Sequence, residues 1–260
     1  MRTLSSSPSI SPKRFLAPRP APHSFLWCRV RLVLSECQQR VSFYAMVKNY
    51  LRTAPVTSTI AAICIIAWSI TAVQARTLGE TFFLSTLSQD WALWGPQYAD
   101  APLTALSSEF MHLDGGHLAV NMVMLLLIGR EVERALDTGL YIAAYLVSCL
   151  GASAMVLWFD FGTPTVGASG AIFALMGMLV GVFRQRGMDL RAPIVLVLVN
   201  VGYTFVAEGV SLWGHLGGLC TGIVLSFFLF HRNKSVRWAG VALTGAVIIV
   251  LLALRAGVWG

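Results

Sequence analysis

From Thr53 onward the chain is a series of apolar runs cut by short charged segments. Stretches free of acids and bases, apart from Asp114 at the start of the second, give seven candidate spans, at about 55–75, 113–129, 138–159, 161–183, 192–207, 209–230 and 238–254. A helix needs roughly 20 residues to cross a bilayer core, so the second, fifth and seventh runs are short. The second gains length from a start near Phe110, the fifth by taking in Arg191 or Glu208 at its ends. Backbone polar groups in lipid must be satisfied within the segment, and no strand-length alternation points to a barrel. The first run is long and shows no small-residue cleavage site, which disfavours a cleaved signal peptide. The pattern predicts an all-α polytopic membrane protein.

The placement of Lys and Arg orients the spans. One side receives Lys48 and Arg52, then Arg130 and Arg134, then Arg184, Arg186 and Arg191, then Arg232, Lys234 and Arg237. The other side receives only Arg76 and Arg255. This alternation places the N-terminus in the cytoplasm and the C-terminus outside, in a membrane of the bacterial plasma-membrane type. The first outer segment, roughly Arg76 to Glu109, carries Phe82, Phe83, Trp91, Trp94 and Tyr98 with few bases. Such a segment is expected at the headgroup level and not as a soluble domain.

Composition agrees: hydrophobic residues make up 56% of the chain and charged ones 12%, with a mean hydropathy of +0.70. The net charge of +7 could suggest nucleic acid, but its distribution serves orientation, and no nucleic-acid partner is expected. Cys28, Cys37, Cys64, Cys149 and Cys220 show no metal-like spacing, and no metal or cofactor is expected. Residues 1–45 are Ser-, Pro- and Arg-rich with Glu36 as the one acid. They read as a disordered basic tail, a transit peptide or an upstream extension of the reading frame; a dispensable tail or misplaced start is favoured over a transit peptide, with Met46 a natural start.

Candidate chemistry centres on Pro164-Thr-Val-Gly-Ala-Ser-Gly-Ala-Ile-Phe-Ala-Leu-Met-Gly177, where Gly167 and Gly170 flank Ser169. A serine in an apolar helix ordinarily returns its hydroxyl to the carbonyl one turn back. Here Gly162 and Pro164 precede it, which predicts a loop entering a helix and puts the Ser169 N–H near a positive helix end, where an oxyanion is favoured. Its base must come from elsewhere. His117 and Asn121 share one helical face at i,i+4, and His215 stands in Trp213-Gly-His-Leu-Gly-Gly-Leu-Cys-Thr-Gly222. The second, fourth and sixth spans all start from the outer side, so His117, Ser169 and His215 fall at similar depth. Gly214, Gly218 and Gly222 form one stripe along the sixth span, and the fourth offers Gly170, Ala174, Gly177 and Gly181. Small residues at these spacings allow close backbone approach, which would bring Ser169 near His215. Glu208, two turns from the histidine, reads as an interfacial cap.

Gly167-Ala-Ser-Gly170, His117-x-x-x-Asn121, Gly214-His-Leu-Gly-Gly218 and Gly129-Arg-Glu-Val-Glu133 together resemble the rhomboid intramembrane serine proteases over about residues 50–230. The resemblance implies a rhomboid-like bundle of six transmembrane helices plus one C-terminal helix, with a core over 46–230 and a connecting loop and seventh span over 231–260. It implies a Ser169–His215 dyad without an aspartate and an oxyanion hole from His117, Asn121 and the Ser169 N–H. It gives supporting places to His112, Gly167, Gly170, Phe173 and Gly218. Its partners would be membrane-spanning protein substrates in the lipid bilayer, cut near their outer ends. The chain departs from the family pattern in three places. Phe173 stands where a tyrosine often stacks on the base, Trp91 and Trp94 lack the following arginine often found in the first outer loop, and Val210 replaces a glycine. A transporter is the weaker reading because no inverted repeat or acidic coupling residue occurs in the spans. A non-proteolytic quality-control relative would lack the serine or the histidine. A zinc protease is excluded at motif level, as no HExxH occurs.

Overall fold

The computed structural model describes residues 45, 47–207 and 209–259. The tail over 1–45, except Ala45, lies outside the described residues, and so does Glu208 with its expected cap. The chain divides into two units, Met1–Asn49 and Tyr50–Gly260. Ala45 and residues 47–49 of the first are helical. The second holds the apolar runs.

Seven long helices are present among the described residues. They are α1 (Pro55–Ala75), α2 (Gly115–Met124, continuing through a π-helical turn at Leu125–Gly129 and Arg130–Glu133), α3 (Thr138–Phe159), α4 (Ser169–Gln185), α5 (Arg191–Thr204), α6 (Leu212–Leu229) and α7 (Lys234–Trp259). Five of them (α1, α2, α3, α6 and α7) are long and apolar enough to cross a membrane, while α4 and α5 are shorter apolar helices. The protein is an all-α polytopic membrane bundle. Isolated pairing of Leu93 with Thr165 is the one β contact among the described residues.

The fourth apolar run differs from its expected form. It reads as uncharged from residue 161, yet the helix begins at Ser169. Pro164 donates no N–H and drives Thr163 from helical backbone, and Gly167 sits at φ +130°, so the preceding segment stays out of the helix. Thr165 instead exchanges both backbone hydrogen bonds with Leu93, at 2.9 and 3.0 Å. The outer stretch before α2 also folds into short helices, Thr81–Leu84, Thr86–Trp91 and Thr104–Ser107 among them. Phe82 and Tyr98 turn inward, while Phe83, Leu84, Trp91 and Leu103 remain exposed, as suits an interfacial segment.

Glu133 ties α2 to α1 across the sequence. Its carboxylate accepts from the N–H groups of Val56 (2.9 Å) and Thr57 (2.8 Å) and from the Thr57 hydroxyl (2.6 Å). An anion at a helix N-terminus satisfies orphan donors and stabilises by up to ~2 kcal/mol when partly buried. Ion pairs gather the α2–α3, α4–α5 and α6–α7 turns at one end of the bundle: Glu131 meets Arg134 and Arg186 at 3.5 Å, and Lys234 meets Asp137 at 3.3 Å. At the other end Arg255 donates to the Leu157 carbonyl at 2.8 Å and lies 3.9 Å over the Phe161 ring.

The centre of the bundle is the crossing of α4 and α6. A Cβ on Gly218 would run into the Gly170 carbonyl, and one on Gly222 into the Ala174 carbonyl. Gly177 faces the backbone of Gly222 and Ile223 in the same way. The small-residue stripes thus bring the two backbones into contact, which larger side chains would prevent.

Candidate active site

Three helices start at the same end of the bundle and carry the candidate residues in their first turns. Ser169 is the first residue of α4, His117 the third of α2 and His215 the fourth of α6. Two of these starts are capped by their own chain: Asp114 Oδ1 accepts the His117 N–H at 2.9 Å, and Ser211 Oγ accepts the Gly214 N–H at 3.1 Å. The start of α4 has no side-chain cap of its own, because Ala168 precedes it. The Ala171 N–H reaches Glu109 Oε2 at 3.4 Å, while the Ser169 and Gly170 N–H groups make no hydrogen bond among the described residues.

Phe173 lies one turn beyond Ser169 and stacks on the His215 ring, with centroids 4.0 Å apart and planes 17° from parallel. The stack fixes the plane of the imidazole against the face of α4 that carries Ser169. No hydrogen bond joins Ser169 Oγ to a partner among the described residues, and the residue is only half-buried. Catalytic hydrogen bonds without substrate are often long and tighten when substrate arrives. The His215 Nδ1 lies 2.8 Å from Thr204 Oγ1.

His117 meets the Gly167–Ser169 loop from the other side. A Cβ on Gly167 would stand 2.7 Å from His117 Cε1 and 3.0 Å from Nε2, so glycine is required here by space as well as by its positive φ. The Gly167 N–H donates to the Ser108 carbonyl at 2.9 Å and pins the loop. The Leu113 N–H donates to His117 Nδ1 at 3.4 Å, which leaves the proton on Nε2, facing the loop. Asn121 is buried and donates from Nδ2 to the His117 carbonyl at 2.8 Å, so only one amide proton remains for any oxyanion. His112 is fully buried and packs edge-on against the His117 ring at 5.2 Å; burial pushes its pKa down to about 3, so it is held neutral.

A cavity of about 20 Å³ adjoins Ser169, with room for one water. Ser108, Glu109, Ser153, Ser211 and Ser169 give it a polar lining. Two of the residues at this site carry no sequence signal for their place. Glu109 sits in the short helical turn Ser108–Phe110, and burial raises its pKa to about 8, opposed by the Ala171 N–H. Thr204 closes α5. A lone acid at the edge of an apolar run reads as a boundary, and a hydroxyl within one reads as back-bonded.

The rhomboid domain model matches residues 100–232, just over half of the chain, with Ser169, His117, Asn121 and His215 all inside. Rhomboid protease GluP of Bacillus subtilis is 33% identical over 155 residues, 57% of this chain and 30% of that protein. RHOMBOID-like protein 4 of Arabidopsis thaliana is 33% identical over 134 residues, covering 49% of this chain and 34% of that one. Inactive rhomboid-related protein 2 of Caenorhabditis elegans is 28% identical over 163 residues, covering 54% and 46%. The matched region therefore spans about a third to a half of these curated relatives. With its small-residue crossing, its Gly167-Ala-Ser-Gly170 loop and this match, the chain belongs to the rhomboid family.

Proposed function

We propose that this protein is an intramembrane serine endopeptidase, with Ser169 as nucleophile and His215 as general base. The observation that carries the reading is the Phe173–His215 stack across the Gly170–Gly218 contact, which sets an imidazole beside the face bearing an unbonded serine at a helix N-terminus. In the reaction, Ser169 Oγ attacks the substrate carbonyl while His215 Nε2 takes the hydroxyl proton. The C–N bond breaks as His215 returns that proton to the leaving amine, and an acyl-serine remains. Water from the polar cavity then attacks, His215 again taking and returning a proton. Open N–H groups at the start of α4, the His117 Nε2–H and the remaining Asn121 proton are the candidate donors to the oxyanion. His112 backs His117, Gly167 and Gly170 keep the loop and crossing tight, and Gly218 lets α6 approach.

The substrates of this reading are membrane-spanning proteins cut near their outer ends, since the three first turns lie at the end opposite the basic turns. A helical peptide bond is shielded by its own hydrogen bond, so substrates with Gly or Pro near the cut unwind at lower cost. The N-terminus is cytoplasmic and the C-terminus outside, in a plasma membrane of bacterial type. Residues 46–230 form the catalytic core, and 231–260 add a loop and a seventh span. The inactive relative raises a non-proteolytic reading, and retention of both Ser169 and His215 speaks against it.

The test is cleavage of a single-span substrate by reconstituted protein. Ser169→Ala and His215→Ala each abolish turnover, and the double variant is no worse, because the two residues act as one unit. Turnover at the wild-type rate by either single variant sinks the assignment.

A further inference from the structure

His215 has no acidic partner, yet its second nitrogen is not idle. Nδ1 lies 2.8 Å from Thr204 Oγ1, and the same hydroxyl donates to the Asn200 carbonyl, one turn back, at 3.0 Å. Thr204 is buried, and with Pro193 it makes up the buried set of α5. A hydroxyl has one proton to give and two lone pairs to accept with. A carbonyl oxygen can only accept, so the bond to Asn200 consumes that proton. Ser58, Ser148 and Thr221 return their hydroxyls to the carbonyl one turn back in the same manner, at 2.7 to 2.8 Å. The contact with His215 then requires the imidazole to donate from Nδ1.

We infer that Thr204 is a positioning residue for the base: its hydroxyl, committed as a donor to Asn200, holds His215 in the Nδ1–H tautomer and leaves the Nε2 lone pair free for the Ser169 proton. This inference rests on the protease reading, since only a base needs a fixed tautomer. With the proton on Nε2 instead, the ring could not accept from serine at all. In Ser-His-Asp triads a buried carboxylate performs this task. A neutral hydroxyl performs it without bringing a second charge into the apolar interior of a membrane bundle. Once His215 has taken the serine proton, the same Nδ1–H bond becomes charge-assisted and strengthens at the step where the imidazolium forms. The Phe173 stack sets the plane of the ring, and Thr204 sets its rotation within that plane and its tautomer.

The experiment compares Thr204→Val, which removes the hydroxyl at nearly constant size, with Thr204→Ser, which keeps it. Both are made in the full chain and reconstituted in bilayers. Turnover of a single-span substrate and the ring ¹⁵N signals of His215, assigned by their loss in His215→Ala, are the two readouts. Thr204→Val is expected to lower kcat about tenfold with KM unchanged, the scale of one lost hydrogen bond. Its His215 signal changes from a single Nδ1–H form to a mixture of tautomers, and Thr204→Ser restores both rate and signal. A Thr204→Val protein with the wild-type tautomer pattern overturns the inference, and so does a Thr204→Ser protein as slow as Thr204→Val. Cleavage by Ser169→Ala would overturn the protease reading instead, and the ring signals would still decide what the hydroxyl does.

Discussion

Helices α4 and α5 are neighbouring short apolar helices with opposite surroundings. Eleven of the 17 residues of α4 are buried, whereas α5 buries two of 14. Leu198, Val199 and Tyr203 of α5 are each more than 60% exposed, and lipid is the natural solvent for them. In a bilayer apolarity does not tell a core helix from a peripheral one, because the tails are as apolar as leucine. What distinguishes them is the size of the residues at the contact. Glycines and Ala174 let α4 and α6 touch backbone to backbone, and the groups assigned to catalysis sit on that contact. Helix α5 leans on the same pair with larger side chains and sends in a single buried hydroxyl.

The largest expected effect comes from spoiling the tight contact. Gly218→Val puts a branched Cβ into the Gly170 carbonyl, a backbone atom that cannot swing away. Overpacking of this kind costs about 1–3 kcal/mol in ordinary cores, and more where backbone blocks relaxation. Loss of folded protein or a steep fall in the thermal midpoint in detergent is the expected result. A Gly218→Val protein as stable as the wild type would mean that the α4–α6 contact is not the centre of the fold.

Next in size is the stack. Phe173→Ala removes the face against His215, and aromatic pairs of this geometry contribute ~0.5–1.5 kcal/mol beyond simple burial. Turnover should fall about tenfold if that energy orients the base. Phe173→Tyr, which keeps the ring, should retain most activity. Equal loss in both variants would assign Phe173 to packing alone.

A smaller, pH-dependent effect belongs to Glu109 at the start of α4. Its pKa is raised by burial from 4.5 to about 8 in the folded protein. Between those values the folded state keeps a proton that the unfolded state has lost. Stability from this group is therefore full below about pH 4.5 and declines as pH rises through 8. Glu109→Gln cannot ionise, so its thermal midpoint should fall less over that window than the wild type's. Parallel curves for the two proteins would show that Glu109 does not titrate there.

Much of this arrangement is legible in the sequence. Runs nearly free of charge mark the helices, and the small-residue stripes on the fourth and sixth runs together mark the α4–α6 contact. The common level of His117, Ser169 and His215 follows from counting spans. Other features carry no local signal. The segment 161–168 is as uncharged as a helix, and only Pro164 and Gly167 betray its non-helical backbone. Glu133 caps a helix that begins 78 residues earlier in the chain, at Pro55, a partnership that no periodicity encodes. Thr204 makes the same back-bond as other hydroxyls in apolar helices, so its second contact is invisible until α5 and α6 are seen together.

The smallest effect is expected on α5 and completes the contrast with Gly218. Gly202 has nothing within 4 Å of where a Cβ would stand. An alanine there meets no neighbour, and it removes backbone freedom that the glycine gives the unfolded chain. Alanine exceeds glycine in helix propensity by ~1 kcal/mol at interior positions, and less near a helix end such as this one. Gly202→Ala should therefore raise the thermal midpoint slightly and leave turnover unchanged. A side chain added at Gly218 of α6 would then be ruinous and one added at Gly202 of α5 harmless, as the contact made or missed by the first added carbon requires. If Gly202→Ala instead lost activity while keeping its stability, α5 would have to close against another surface during the reaction. The loose packing seen here would then describe one state of that helix, and its contrast with α4 would have to be drawn for each state.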